Sequence, residues 1–220
     1  MINSLPQSGP FSTNEHKSVA IIVAHPDDET LWAGGTILSH PAWKFFIVCL
    51  CRKSDVDRSV KFYKTLKLLN AEGIMGELDD GPEQIPLDGE EIETLILDLL
   101  PPKQYDLIIT HSPSGEYTRH LRHEEVSSAV CNLWLKGKIA TRELWNFAYE
   151  DGNKQYYPKA IENASVYYLL NHKIWLKKYS LMTETYGYGK NSWEAKTTPL
   201  SEAFWKFSDP YAAKAKIIGK

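Results

Sequence analysis

The chain has 220 residues, of which 43% are hydrophobic and 24% charged, and its formal net charge is −3. This length suits one α/β domain with a substantial core, and the slightly acidic balance argues against nucleic acid or an anionic membrane surface as a general partner. No apolar run approaches the roughly 20 residues that a membrane-spanning helix needs.

The two ends of the sequence differ in composition. Residues 1–17 are polar, lack the apolar core of a signal peptide, and are expected to form a flexible N-terminal arm. Residues 18–220 are expected to form a single domain, because no repeat, low-complexity segment or linker interrupts them. Cys49, Cys51 and Cys131 lie in a predicted strand and a predicted helix, which favours buried reduced thiols and a cytoplasmic location.

Apolar, β-branched runs alternate with segments of helical periodicity along the chain. Strands are predicted over 19–24, 44–51, 75–80, 105–110, 143–149 and 165–170. Helices are predicted over 27–40, 56–70, from the capping residue Asp88 to Pro101, around 126–134, and over 172–185. The tail from Tyr186 is expected to be irregular. This alternation predicts a Rossmann-like α/β fold with a mostly parallel sheet and helices on both faces.

The second predicted helix is marked by the apolar positions Val56, Val60, Tyr63 and Leu66. It is expected to run to about Asn70, with Gly73 as its stop.

The first predicted strand ends in an unusual concentration of ionisable groups, His25-Pro26-Asp27-Asp28-Glu29. Open parallel sheets bind their ligands at the carboxyl ends of strands, so this run predicts a metal site. The alternative is that the two aspartates only cap the following helix. Pro26 forces the chain to turn there, which allows His25 and Asp28 to converge.

A second predicted strand, which ends at residue 110, is also followed by a run of ionisable residues. His120 and His123 lie near the start of the next predicted helix, where i,i+3 spacing would place them on one face. Two imidazoles and a carboxylate form a common catalytic zinc set. Asp27, beside Asp28, is positioned to take the proton of an activated water, and His120 to stabilise an oxyanion or protonate a leaving amine.

The two motifs together resemble the LmbE/PIG-L family of zinc-dependent N-acetylglucosaminyl deacetylases. His-Pro-Asp-Asp-Glu with the following Gly34-Gly35 is similar to the first motif of that family, and His120-Leu121-Arg122-His123 is similar to its second, His-x-x-His. The resemblance implies that His25, Asp28 and His123 bind zinc, with Fe²⁺ as an alternative ion. It also implies that Asp27 is the general base and His120 the oxyanion-stabilising or acid histidine.

The same resemblance implies a hydrolase that removes the acetyl group from an N-acetylglucosamine-containing or related amino-sugar conjugate. Many relatives have Pro-Asp between the two late histidines, where this chain has Leu121-Arg122. That departure concerns the substrate pocket, for which Arg58, Asp80 and Tyr117 are the candidate residues. Arg58 as a solvated helix charge and Asp80 as a turn acid are the alternatives.

Two other functions compete with this interpretation. A metal-dependent phosphoesterase also uses histidines and aspartates at strand ends, but normally needs ligands for two metal ions. A non-catalytic sugar-binding protein on the same scaffold would be indicated by loss of the base or of a ligand, and both are present. The expected partner is a small-molecule amino sugar, with no nucleic acid and no membrane span; a homo-oligomer stays open.

Overall fold

The computed structural model describes residues 15–218. Most of the predicted N-terminal arm, residues 1–14, lies outside the described residues. The end of the arm lies beside the second strand, where the Lys44 amide donates to the Lys17 carbonyl at 2.8 Å.

A seven-stranded sheet forms the centre of the molecule. Its strands are β1 (Ser18–Val23), β2 (Lys44–Cys51), β3 (Glu72–Leu78), β4 (Gln104–Thr110), β5 (Ala140–Phe147), β8 (Val166–Leu169) and β9 (Ser201–Phe207). Their spatial order is β3-β2-β1-β4-β5-β9-β8. The first five are parallel, whereas β9 runs antiparallel to both of its neighbours. Two short strands, β6 (Tyr149–Glu150) and β7 (Lys159–Ala160), form a separate ribbon.

Helices cover both faces of this sheet. They are α1 (Asp28–Ser39), α2 (Val56–Leu69), α3 (Gly89–Leu99), α4 (Leu121–Leu135), α5 (His172–Ser180), α6 (Trp193–Thr197) and α7 (Pro210–Ile218). Alternate residues of β1 point to opposite sides: Ile21 packs with Trp32 and Phe62, and Ile22 with residues of α3 and α4. The predicted fold class, a mostly parallel α/β sheet with helices on both faces, is therefore confirmed.

The described chain agrees with the expectation for the cysteines. All three cysteines are buried and unpaired. Among residues 15–218, no helix combines the length and the apolar composition needed to cross a membrane.

The structure corrects the prediction for α2. Its left-handed terminating residue is Asn70, with φ of 54°, whereas Gly73 lies within β3. Val56 and Val60 are 76% and 61% exposed, and the buried apolar side chains are Phe62, Leu66 and Leu69. Two apolar stripes share this helix, and only tertiary packing decides which one faces the sheet.

The tail was also predicted wrongly, because it contains α6, β9 and α7 instead of irregular chain. Its strand carries a fully buried acid, Glu202, which breaks the apolar pattern. Glu202 Oε1 accepts from the Lys178 ammonium and from the Gly35 amide, both at 2.7 Å, and Oε2 accepts from the Thr36 amide at 2.7 Å. A Cβ on Gly35 would lie 2.3 Å from Leu170, so only glycine permits this close approach.

We expect Lys178→Met to destabilise the fold by about 3–5 kcal/mol, because it leaves the Glu202 carboxylate buried without its cation. Urea unfolding followed by circular dichroism measures the change. Lys177→Met, at the exposed preceding position, is the matched control and should change stability by less than about 0.5 kcal/mol. Equal effects of the two substitutions would show that the buried ion pair has no special structural role.

Candidate metal centre

The candidate site lies where β1 and β4 end. These strands are adjacent and parallel, with Ile22 in register with Thr110. The residues after both strands therefore leave the sheet at the same edge. This places His25 and Asp28 from one connection next to His123 from the other.

Three atoms from these side chains converge on one point. His25 Nδ1 lies 3.2 Å from Asp28 Oδ2 and 3.2 Å from His123 Nε2, and the last two atoms are 3.4 Å apart. Ligands held tetrahedrally at the usual zinc–nitrogen and zinc–oxygen distances of about 2.0–2.2 Å are separated by roughly 3.3–3.5 Å. The three atoms therefore have the spacing of three corners of such a site.

Carboxylates lie behind both imidazoles and set their orientation. Glu116 Oε2 lies 2.5 Å from His123 Nδ1, and Asp80 Oδ1 lies 3.2 Å from His25 Nε2. With protons on the nitrogens that face these acids, the lone pairs of His25 Nδ1 and His123 Nε2 point at the shared centre. Such carboxylate–histidine pairs fix tautomer and ring orientation in metal sites.

Asp28 is held at the same centre by two donors. The Trp32 indole donates to Oδ1 at 3.1 Å, and the His25 amide donates to Oδ2 at 2.8 Å. Although burial opposes ionisation, the imidazoles of His123 and His111 hold the pKa of Asp28 well below its usual range. The carboxylate is therefore ionised and available as an anionic ligand.

Other combinations of ligands exist among the described residues, namely His25–His120–His123 and Asp28–His111–His123. Both nitrogens of His111 are engaged, because Nε2 accepts from the Ala24 amide at 2.9 Å and Nδ1 lies 3.1 Å from Glu116 Oε2. His111 therefore contacts the backbone of the first connection and the buried Glu116 carboxylate that faces His123.

Asp27 adjoins this centre in a strained conformation. Its φ is 129°, a region that side chains other than glycine rarely adopt. The buried Glu29 carboxylate stabilises the turn by accepting the Asp27 amide at 3.0 Å. Asp27 Oδ2 contacts the Tyr188 hydroxyl and lies 3.3 Å from Arg58 Nη1. Burial and the charge of Asp28 raise the pKa of Asp27 to about 7.

His120 lies just before α4 instead of within it, so the predicted i,i+3 helical spacing does not apply. Its extended backbone nevertheless stacks its ring on His123, with centroids 4.3 Å apart, and places it 4.6 Å from His25. Burial and the neighbouring imidazoles lower the pKa of His120 to about 3. Its Nδ1 is buried without a hydrogen-bond partner among residues 15–218.

A cavity of about 320 Å³ opens onto these groups. Arg58 and Tyr117, two of the candidate substrate-binding residues, line it, and so do two aromatic residues of the tail, Tyr188 and Trp193. Asp80 also lines the cavity, but its carboxylate is engaged by His25 and by Arg52, whose Nε and Nη2 donate at 2.9 and 2.6 Å. Its position is that of an orienting group for His25.

Sequence reasoning missed the role of Glu116 and the contact of Tyr188 with Asp27; it considered Tyr188 only as a tail residue for stacking on a sugar ring. Glu116 is fully buried, and the two histidines beside it, His111 and His123, lower its pKa to about 2 despite the opposing effect of burial. The signal available in the sequence was the position of Glu116, five residues after His111 and seven before His123. Tyr188 carried only a weak signal, its position between two glycines in the tail.

The family model described as PIG-L, GlcNAc-PI de-N-acetylase, matches residues 20–134, which run from β1 to the end of α4 and include both histidine motifs. The chain belongs to the PIG-L family. The resemblance seen in the sequence is therefore confirmed, and membership supports a deacetylase-type function.

Individual relatives are more distant. An uncharacterized protein of Acanthamoeba polyphaga mimivirus is 24% identical over 173 residues, covering 72% of this chain and 74% of that protein. The N,N'-diacetylchitobiose deacetylase of Pyrococcus horikoshii has a TM-score of 0.61 at 17% identity, over 87% of this chain and 84% of that one. The 4-carboxy-2-hydroxymuconate hydratase of Pseudomonas putida has a TM-score of 0.58 at 16% identity, over 82% and 83%. These two structures share the fold.

We expect Asp80→Ala to weaken zinc binding by about 10- to 100-fold, because His25 loses the carboxylate that orients its ring. Competition with a chromophoric chelator measures the affinity. Asp79→Ala removes the neighbouring carboxylate, which is 61% exposed, and should leave zinc affinity unchanged. A loss of the same size in both variants would mean that general acidity, not orientation of His25, governs binding.

Proposed function

We propose that this protein is a metal-dependent N-deacetylase that hydrolyses the acetamide of an N-acetylglucosamine-containing or related amino-sugar conjugate. The observation that carries the proposal is the triangle of His25 Nδ1, Asp28 Oδ2 and His123 Nε2, with sides of 3.2–3.4 Å, beside a carboxylate of raised pKa. The triangle supplies a place for a divalent ion, and the Asp27 carboxylate supplies a base that can take a proton from water.

His25, Asp28 and His123 would hold the ion, zinc or Fe²⁺. When bound, such an ion supplies a Lewis acid that polarises the amide carbonyl and lowers the pKa of water. Two imidazoles and one carboxylate suit both ions, so the donor set does not choose between them.

Asp27 would accept the proton of the attacking water. Its Oδ2 is occupied by Tyr188 and Arg58, whereas Oδ1 has no hydrogen-bond partner within residues 15–218. The free oxygen is therefore the one available to the water. Burial raises the pKa of Asp27 above that of an ordinary carboxyl group, which makes it a stronger base toward water.

His120 would assist at the other end of the reacting bond. A carbon–oxygen bond forms from water, the amide carbon–nitrogen bond breaks, and acetate and a free amine leave; the departing nitrogen gains the proton that Asp27 took. The neutral His120 ring borders the same cavity and would donate an N–H hydrogen bond to the carbonyl oxygen as it gains charge. Because its lowered pKa keeps the ring neutral, the proton for the amine would come from Asp27.

The rival functions find less support. The two further ligand groups among the described residues both include His123, so they overlap this site and offer no separate place for the second ion of a phosphoesterase. A sugar-binding protein has no need for a buried, strained Asp27. The fold alone does not choose, since one of its structural neighbours is a hydratase.

The remaining attributes belong to the same proposal. We infer a cytoplasmic enzyme, supported by three buried unpaired thiols. Its substrate is a small molecule, and residues 18–220 act as one catalytic domain, supported by the continuity of the seven-stranded sheet.

We expect Asp27→Asn to lower kcat by about 10²- to 10⁴-fold while zinc content stays at one ion per chain, because the amide cannot accept a proton. Acetate release from N-acetylglucosamine and its glycosides measures kcat, and elemental analysis measures zinc. Asp57→Asn, an exposed carboxylate of α2 paired with Lys61, is the control and should keep full activity. Loss of zinc from the Asp27 variant would make Asp27 a ligand and contradict its assignment as the base.

A further inference from the structure

One part of the cavity wall comes from outside the residues matched by the family. A π-helical turn, Leu181–Thr185, follows α5. We call residues 186–194, which follow this turn and include the first two residues of α6, the recognition segment. Tyr186 donates to the buried Glu29 carboxylate at 2.6 Å, and Tyr188 donates to Asp27. The acids that follow β1 therefore fix the recognition segment against the candidate metal centre.

The recognition segment places an aromatic residue, Trp193, in the cavity wall. Trp193 is 37% exposed, and its ring meets Tyr117 edge-on at 4.8 Å. The centroid of the Tyr117 ring in turn lies 5.6 Å from that of His123. Tyr117 therefore contacts Trp193 on one side and the candidate ligand His123 on the other. Ser192 stabilises the turn by accepting the Ala195 amide at 3.1 Å.

Glu194 adds a polar group beside this ring. Both residues line the cavity, and within residues 15–218 neither the Trp193 indole N–H nor the Glu194 carboxylate has a hydrogen-bond partner. An aromatic face next to a free donor and a free acceptor suits a pyranose ring, whose C–H face packs on the aromatic ring and whose hydroxyls pair with the polar groups.

We propose that Trp193 and Glu194 form a subsite for a second pyranose ring, glycosidically linked to the sugar that bears the acetamide. The proposal rests on the proposed function for the placement of that acetamide at His25, Asp28 and His123. Tyr117 lies between the two positions and borders the acetamido sugar, while Trp193 borders the unit joined to it. The substrate is accordingly a glycoside and not a free monosaccharide.

Calorimetric titration of the zinc-loaded Asp27→Asn protein tests the subsite without turnover. We expect N,N'-diacetylchitobiose to bind more tightly than N-acetylglucosamine. Adding Trp193→Ala should weaken disaccharide binding by about 5- to 10-fold and leave monosaccharide binding unchanged, and Trp193→Phe should restore most of the loss. Glu194→Ala should follow the pattern of Trp193→Ala.

Three results would overturn the subsite: no binding of the disaccharide, equal loss for both sugars in Trp193→Ala, or no loss at all. Acetate release by the wild-type enzyme separates the two proposals. Disaccharide binding that depends on Trp193, without acetate release from either sugar, would support the subsite and contradict the deacetylase. Acetate release from both sugars that does not change in Trp193→Ala would support the deacetylase and contradict the subsite.

Discussion

The convergence of three electron-pair donors is the constraint on which the rest of the site depends. His25 Nδ1, Asp28 Oδ2 and His123 Nε2 lie within 3.2–3.4 Å of one another. Neutral imidazoles with protons on their far nitrogens would repel each other and the carboxylate at this distance, and a shared cation removes that repulsion. Asp80 lies against His25 and Glu116 against His123, so that each acid directs the lone pair of one imidazole to the centre.

The surrounding fold keeps this arrangement rigid. Parallel pairing of β1 and β4 brings the two ligand-bearing connections to one edge, and the Glu29 carboxylate holds Asp27 in its unusual conformation. Farther away, the buried Lys178–Glu202 pair joins α5 to the backbone of α1. The Glu29 and Asp27 side chains, at the start of α1, contact Tyr186 and Tyr188 of the recognition segment. The start of α1 thus connects a candidate metal ligand, Asp28, and the candidate base, Asp27, to the recognition segment that lines the cavity.

Much of this could be predicted from the sequence, for reasons that are local. A β-branched run ending in His25-Pro26-Asp27-Asp28 specifies both a buried strand and the chemistry at its end. Two kinds of feature could not be predicted. Glu116 lies close in sequence to its histidine partners, but the irregular loop that carries it has no periodicity to show which of its side chains are buried. Strand β9 was hidden because its buried Glu202 pairs with Lys178 from α5, a contact between elements that periodicity does not reveal.

X-ray absorption at the zinc edge of the zinc-loaded protein tests the central claim most directly. The account predicts one ion per chain, coordinated by two imidazoles and by oxygen at about 2.0–2.2 Å. Three imidazoles in the first coordination sphere would assign the site to His25, His120 and His123, and would remove His120 from its proposed role. A single imidazole, or no stoichiometric zinc, would contradict the triangle as a metal centre.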